Sequence, residues 1–600
     1  MYYYNPWNLD YKQPFGAIKV GNSMSLRFTT DQPSVLVTCV IRRDFGKRYE
    51  FSMTKDSGGD FRVTIPFDEE PGLYFYHFEI VESSDLGETR RFYGCSGIGG
   101  EGLLYTDEND VKPYQLTVFE KEDQAPSWYR EAVFYQIFPD RFYNGNENGQ
   151  INHPKPNSFI YGRKTDSPFY VKEENGDIAR WDFFGGNLRG IIKKIPYLKE
   201  LGINAIYLNP IFSGTSNHRY DTNDYLKIDS MLGRQEDFEE LIQLLHQEKM
   251  HLILDGVFSH VGKNSLYFNI NGDYGDDEGA AKNPDSPYFD WFKFENYPFE
   301  YKSWWGIKDL PEIDKDNDSF RNFIYGEKNS VLAKWNDLGI DGWRLDVADE
   351  LPDSFIKGIR ENLDSYSDKI LIGEIWEDAS NKISYGKRRN YILGGSLQAT
   401  MNYPFRDLII NLLNGHRSSQ DVAYQLMTLQ ENYPKDIFYN NLNNLGTHDT
   451  ERILTMVGEK NLSVALAMLF VLPGIPCIYY GDEAGLSGGK DPENRKYFPW
   501  DNISPNVYNV YKSWTQKRLS ENSLKYGEFS TFFTDRLLGI LRYTDSEVFV
   551  ELINPSEDEL NVEVQEITFL QNLKFLPELK KLLTEKVISG KTNLELKMKI

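Results

Sequence analysis

The stretch IDGWRLDVADE (340–350) reads as a short apolar strand that runs, at its C-terminal end, into a cluster of acids. Short apolar runs of this kind recur. AVFYQIF (132–138), INAIYLNP (203–210), HLILDGVF (251–258), ILIGEIW (370–376), GGSLQATMNY (394–403), FYNNLNNLG (438–446) and GIPCIYYGD (474–482) each suit a buried strand. Helical periodicity lies between most of them, as in 188–202, 235–249 and 450–472. Eight strands alternating with helices over nearly 400 residues fit an α/β fold, a (β/α)8 TIM barrel across 126–520. A doubly wound open sheet shares the pattern, but no glycine-rich phosphate loop follows the first strand.

The flanks have a different texture. Residues 1–125 alternate short β-like runs, such as SLRFTT (25–30) and LYFYHFEIV (73–81), with turn signals, which predicts an N-terminal β-sandwich and a candidate carbohydrate-binding module. Between the third and fourth barrel strands, 261–317 is rich in Gly, Asp, Asn and Pro and reads as an inserted loop-rich subdomain. Residues 521–600 suggest a C-terminal β domain.

Composition narrows the partners. The formal charge of −24 in 600 residues opposes a polyanion, so nucleic acid is not expected as a partner. Cys39, Cys95 and Cys477 are too few for a disulfide framework and lack the spacing of a zinc site. The apolar run at 464–480 is broken by Pro473 and Pro476, and the first residues have neither a basic start nor an apolar core. The expectation is a cytoplasmic protein, monomer or homodimer, without a membrane partner.

In a barrel, side chains at the C-terminal strand ends face one mouth. Here those ends carry DGVFSH (255–260), GWRLDVADE (342–350), GEIWEDAS (373–380) and NLGTHDTER (444–452). Several acids, two histidines and an arginine therefore converge. Glycosidic cleavage needs two carboxyl groups, one to protonate the leaving oxygen and one to attack or to activate water.

These four segments, in this order, resemble the signature regions of the α-amylase family, and INAIYLNPIF (203–212), SNHRYDTNDY (216–225) and 473–501 agree. VFYQIFPDRF (133–142), DTER (449–452) and GGKDPENRK (488–496) look closest to the neopullulanase, cyclomaltodextrinase and maltogenic amylase group. The resemblance implies Asp346 as nucleophile, Glu374 as acid/base and Asp449 as the third acid that grips sugar hydroxyls. It implies sugar contacts from His218, Tyr220, His260, Arg344, Trp376, His448, Asp491 and Arg495, with Asp255 supporting the site from beneath. Arg344 would keep Asp346 ionised, whereas Glu374 needs a raised pKa. Trp304 and Trp305 fit either a core or a stacking platform, and Asp491 with Arg495 could be an i, i+4 helix pair.

The implied activity is retaining hydrolysis of α-1,4, and also α-1,6, bonds in maltodextrins, pullulan or cyclodextrins. The alternatives are an α-glucan transglycosidase and a non-catalytic glycan-binding protein. No cofactor is required. Calcium is a candidate, bound through Asn144, Asn146, Gly185 and Asn187, although few carboxylates lie nearby and Ser259 replaces an Asn often used at another calcium site. WWGIKDLPEID (304–314), VADE (347–350) and EIWED (374–378) also depart from the group's usual sequences.

Overall fold

A computed structural model describes every residue except Pro33, Glu69, Asp85, Leu86, Ile98 and Asn175. Its centre is a ring of eight parallel strands: Phe134–Ile137 (β1), Ala205–Leu208 (β2), His251–Gly256 (β3), Gly342–Leu345 (β4), Ile370–Gly373 (β5), Ala399–Thr400 (β6), Leu442–Asn444 (β7) and Ile475–Tyr479 (β8). The order is β6-β5-β4-β3-β2-β1-β8-β7, and a parallel bridge from Met401 to Leu442 closes it. All eight are buried on both faces, which is why they read as continuous apolar runs. Two are shorter than expected. Within 394–403 only 399–400 is strand, and 438–446 begins in a helix, Lys435–Asn440, before the chain straightens into β7.

Helices follow seven of the strands. Leu188–Leu201 shows how they are made: Asn187 caps it by accepting from Gly190 N, apolar residues recur on one face, and left-handed Gly202 ends it. Ile453–Val471, after β7, is long and apolar enough to cross a membrane, yet it packs among the helices Tyr403–Leu413 and Pro505–Ser520. Between β5 and β6 no helix occurs among the described residues; a small hairpin, Ile383–Ser384 with Lys387–Arg388, stands there instead.

The N-terminal domain meets the barrel along that helix-less flank. Gln115 and Asn381 exchange a hydrogen bond at 3.0 Å, Arg388 pairs with Asp44 at 2.7 Å, Glu120 N donates to Leu393 O, and Arg360 pairs with Asp123 at 2.8 Å. The domain itself is two packed antiparallel-rich sheets whose inner faces contribute Met24, Leu26, Phe28, Tyr76, Phe78 and Ile80. Burial alternates along Ser23–Thr30, as a sandwich strand requires. At the other end, Glu528–Phe533, Leu538–Tyr543, Glu547–Asn554 and Thr592–Lys599 form an antiparallel sheet covered by the helix Leu576–Leu583.

Residues 261–317 are mostly irregular, with one hairpin at 294–301, and pin Tyr267, Phe268, Trp291 and Phe292 into the barrel's core. They stand over the C-terminal ends of the strands, beside the cleft.

Candidate active site

The C-terminal strand ends surround a cleft of about 870 Å³, lined among others by His218, Tyr220, His260, Asp346, Glu374, Trp376, His448, Asp449, Asp491 and Arg495. Ten of the eleven residues expected to act on or bind sugar line this one space. The eleventh, Arg344, does not. It is fully buried at the end of β4, and its guanidinium contacts Asp255 at 2.7 Å, Asp346 at 2.9 Å and Glu374 at 2.6 Å. It is an electrostatic hub beneath the floor rather than a sugar contact.

That hub explains a second departure. One cation shared among three buried carboxylates offsets the burial of Asp346 less than it would in an isolated pair. Burial pushes Asp346 well above the usual carboxylate range; Arg344 pulls it back, while Glu374, Asp255 and Asp449 push it up further. The expectation that Arg344 keeps Asp346 ionised treated the two as an isolated pair, which they are not. Asp449 is raised to about 7 by burial and then by Glu374, against Arg495 and Arg344. Its side chain is 35% exposed to the cleft, so water there moderates the rise.

Local backbone aims the acids. Val347 takes a left-handed conformation (φ 38°) immediately after Asp346, rare for a β-branched residue, and donates its N–H to Glu374 Oε2 at 2.9 Å. Trp376 donates from its indole to Glu374 Oε1 at 3.1 Å. One face of Trp376 stacks on Tyr403 (centroids 3.9 Å, interplanar 10°), and the side chain remains 43% exposed. Asp255 accepts from Tyr207 and from Tyr220, both at 2.7 Å, so it fixes the Tyr220 ring in the floor.

The histidines are neutral, because burial drives His218 and His448 well below the usual value and His260 to about 3. His218 Nδ1 accepts from Tyr220 N at 3.1 Å, which leaves the proton on Nε2. His448 accepts from Gln136 at 3.0 Å, contacts Asp449 through Nε2 at 3.0 Å, and lies parallel to Tyr220 (5.0 Å, 6°). His260 pairs with Ser259 Oγ through Nδ1 at 2.8 Å and with Tyr220 O through Nε2 at 3.2 Å. Both nitrogens of His260 and of His448 are thus engaged by the protein itself; a sugar hydroxyl would have to displace a partner.

Asp491 and Arg495 pair at 3.0 Å, and only Arg495 lies in a short 3-10 turn, so no helix imposes their spacing. Tyr170 donates to Asp491 at 2.6 Å, and Arg495 reaches Asp449 at 3.5 Å. This trio closes one end. Sequence reading missed Tyr170, and likewise Trp181, which sits edge-on to His218 at 4.9 Å. Both come from the aperiodic 143–187 connection, where no pattern marks them. Trp304 and Trp305 prove to line the same cleft, with Glu350, Lys382 and Tyr385.

The four candidate calcium residues do gather, but as an amide network. Asn187 Oδ1 accepts from Gly145 N and Gly190 N; Asn144 Oδ1 accepts from Asn146 N and Asn187 Nδ2; Gly185 N donates to Asp140. The Asn144 and Asn146 amides donate to the carbonyls of Gly149 and Gln150, the oxygens a hard cation would need. No group of three or more His, Cys, Asp or Glu suited to a metal occurs among the described residues. These residues do not fit a calcium ion.

Residues 136–523 match the α-amylase catalytic domain. The chain belongs to the α-amylase family. Within the family it is 36% identical over 590 residues to an amylopullulanase of Thermoanaerobacterium saccharolyticum, covering 87% of this chain and 45% of that protein. It spans less than half the length of that and two further amylopullulanases. A cyclomaltodextrinase of Thermoanaerobacter pseudethanolicus is 32% identical over 522 residues, covering 82% of this chain and 83% of the relative. Among solved α-amylase family structures, a cyclic α-maltosyl-(1→6)-maltose hydrolase from Arthrobacter globiformis, in complex with its cyclic sugar, superposes with a TM-score of 0.67 at 29% identity, covering 79% of this chain and all of that one.

Proposed function

We propose that this protein is a retaining α-glucan hydrolase that cleaves α-1,4, and also α-1,6, bonds in maltodextrins, pullulan or cyclodextrins. Asp346 is the nucleophile, Glu374 the acid/base and Asp449 the third acid. The observation that carries the reading is the contact of Asp346 and Glu374 with one guanidinium, Arg344, at the floor of one cleft. Two carboxyls held on one cation support the close spacing, about 5–5.5 Å, used for double displacement rather than the wider gap that houses a water.

Glu374 protonates the leaving oxygen as Asp346 attacks the anomeric carbon. Glu374 then takes a proton from the water that releases the sugar. The neutral ring of Tyr220 lies beneath the sugar. Asp449 accepts from its hydroxyls, and the Tyr170–Asp491–Arg495 group bounds its far end.

Reducing-sugar release from soluble starch, pullulan and β-cyclodextrin tests the reading. Asp346→Asn should lose about 10⁴–10⁶-fold. Equal activity in variant and wild type would refute the assignment. Panose from pullulan marks α-1,4 cleavage and maltotriose marks α-1,6.

A further inference from the structure

Away from the active cleft, three domains meet around a second cavity of about 470 Å³ that shares no residue with it. The N-terminal domain supplies Tyr3, Trp7 and the turn at 99–103. The barrel helix Ser419–Asn432 supplies Tyr424, and the C-terminal domain supplies Phe569, Gln571 and Asn572. The seam is pinned by a buried ion pair. Trp7 donates its indole N–H to Glu431 at 2.8 Å, on the same helix as Tyr424, and fully buried Lys12 reaches that carboxylate at 3.5 Å. The rings of Trp7 and Tyr424 lie 5.9 Å apart. Gly100 lets the turn close onto them, since a Cβ there would stand 2.8 Å from the Trp7 indole.

The wall of this cavity has a composition unlike the rest of the chain. Glu101 alone is charged among its sixteen described residues, where the 26% charged content of the whole sequence would place about four. An anion finds no cation there, and a cation finds one exposed carboxylate. Four aromatic residues and four side-chain amides stand in their place. Asn5 and Asn8 each spend an amide oxygen on a local turn, at Trp7 N and Asp10 N. Gln571 and Asn572 make no side-chain hydrogen bond to any described residue, which leaves two donors and an acceptor on each amide. A hydrocarbon ligand would strand those amides. A neutral ligand with an apolar face and a rim of hydroxyls satisfies both halves of the wall, and the volume falls within the range of about 300–1,000 Å³ used by small-molecule sites.

We propose that this three-domain seam is a second, non-catalytic sugar site that holds a short run of glucosyl units, with Tyr424 as a stacking face and Gln571 and Asn572 as hydroxyl partners. That the ligand is a neutral polyhydroxyl rests on the wall itself; that it is an α-glucan rests on the function proposed above. A polymer gripped at the seam stays near the enzyme between cleavages, so its effective concentration at the cleft rises, whereas a chain too short to span both places gains nothing. The site needs all three domains in place, because each supplies part of its wall.

The test titrates full-length Asp346→Asn protein with maltotriose by calorimetry. Two sites are expected. Adding Gln571→Ala with Asn572→Ala should leave one, with the affinity of the cleft unchanged. Tyr424→Ala should also abolish the second site, whereas Tyr424→Phe, which keeps the ring, should retain it. In protein with Asp346 intact, the Gln571→Ala, Asn572→Ala pair should raise KM for soluble starch about threefold to tenfold and leave kcat/KM for maltotetraose unchanged. A single site in Asp346→Asn overturns the proposal, and so do two sites that persist after the paired substitution. A starch KM that does not move overturns it as well. Each of these leaves the hydrolase reading standing if wild type releases reducing sugar from maltotetraose. No binding at either place, in a protein whose wild type releases no reducing sugar, removes that reading and the proposal together.

Discussion

Val347 holds its N–H on Glu374 Oε2 at 2.9 Å from a left-handed backbone conformation that a β-branched residue seldom tolerates. The strand carrying Asp346 therefore turns sharply enough to donate from its next residue to the carboxyl of the neighbouring strand. Strain of this sort costs on the order of 1–3 kcal/mol and persists where the surroundings over-determine it. Val347→Gly should relieve it, raising the melting temperature by about a degree or two in a chain of this size. The same change should lower kcat about threefold to tenfold as the turn loosens around Glu374. Calorimetry and initial rates on maltodextrin check both; a variant that melts lower than wild type contradicts the strain.

Arg344 is the single guanidinium beneath three carboxylates. Removing it as Arg344→Gln leaves buried like charges unpaired, a loss of about 3–5 kcal/mol at neutral pH. The deficit belongs to the ionised acids, so it should shrink as pH falls from 8 to 5 and the cluster takes up protons. Thermal melts of variant and wild type across that range give the answer. A deficit independent of pH would mean that Arg344 matters through packing instead.

Glu551 is buried in the C-terminal sheet, bonded to Asn593 at 2.7 Å, and burial raises its pKa from 4.5 to about 8. An acid with a raised folded-state pKa binds its proton more tightly folded than unfolded. Stability contributed by this group is thus full below about 4.5 and declines as pH rises to about 8. Glu551→Gln mimics the protonated form. It should melt higher than wild type at pH 9 and equal to it at pH 4.5, with activity per folded molecule unchanged.

The amide network at 144–187 leaves a cation few open oxygens. Incubation with EDTA should shift the melting temperature by less than about one degree, against the several kcal/mol that a structural ion would contribute. A drop of many degrees, reversed by added calcium, would show that the Asn144 and Asn146 amides turn to admit an ion.

The barrel was legible because its strands are buried on both faces and most are separated by helical periodicity, although the ranges of β6 and β7 were read too long. The place of Asp346, Glu374, Asp449, His260 and His448 in one cleft was legible through four ordered motifs at strand ends. Tyr170, Trp181 and Tyr385 were not, since they arrive from aperiodic connections whose path depends on tertiary packing. The role of Arg344 was half legible. Its spacing to Asp346 is local, but its contacts with Asp255 and Glu374 come from strand order, and sharing the guanidinium leaves Asp346 raised by burial and by its acidic neighbours, where an isolated pair would lower it. At 144–187 the sequence shows which amides gather but not which way they face, because an amide can donate as readily as it accepts.

The flank between β5 and β6 carries one more implication. With a hairpin where a helix would stand, the barrel's wall is finished by the N-terminal domain, and the Asp44–Arg388 pair joins that domain to the hairpin bearing Tyr385. The leading domain is thereby a structural pillar of the substrate groove and not a detachable appendage. Exchanging it for that of a relative would alter what the enzyme accepts, even though no described residue of the exchanged part lines this cleft.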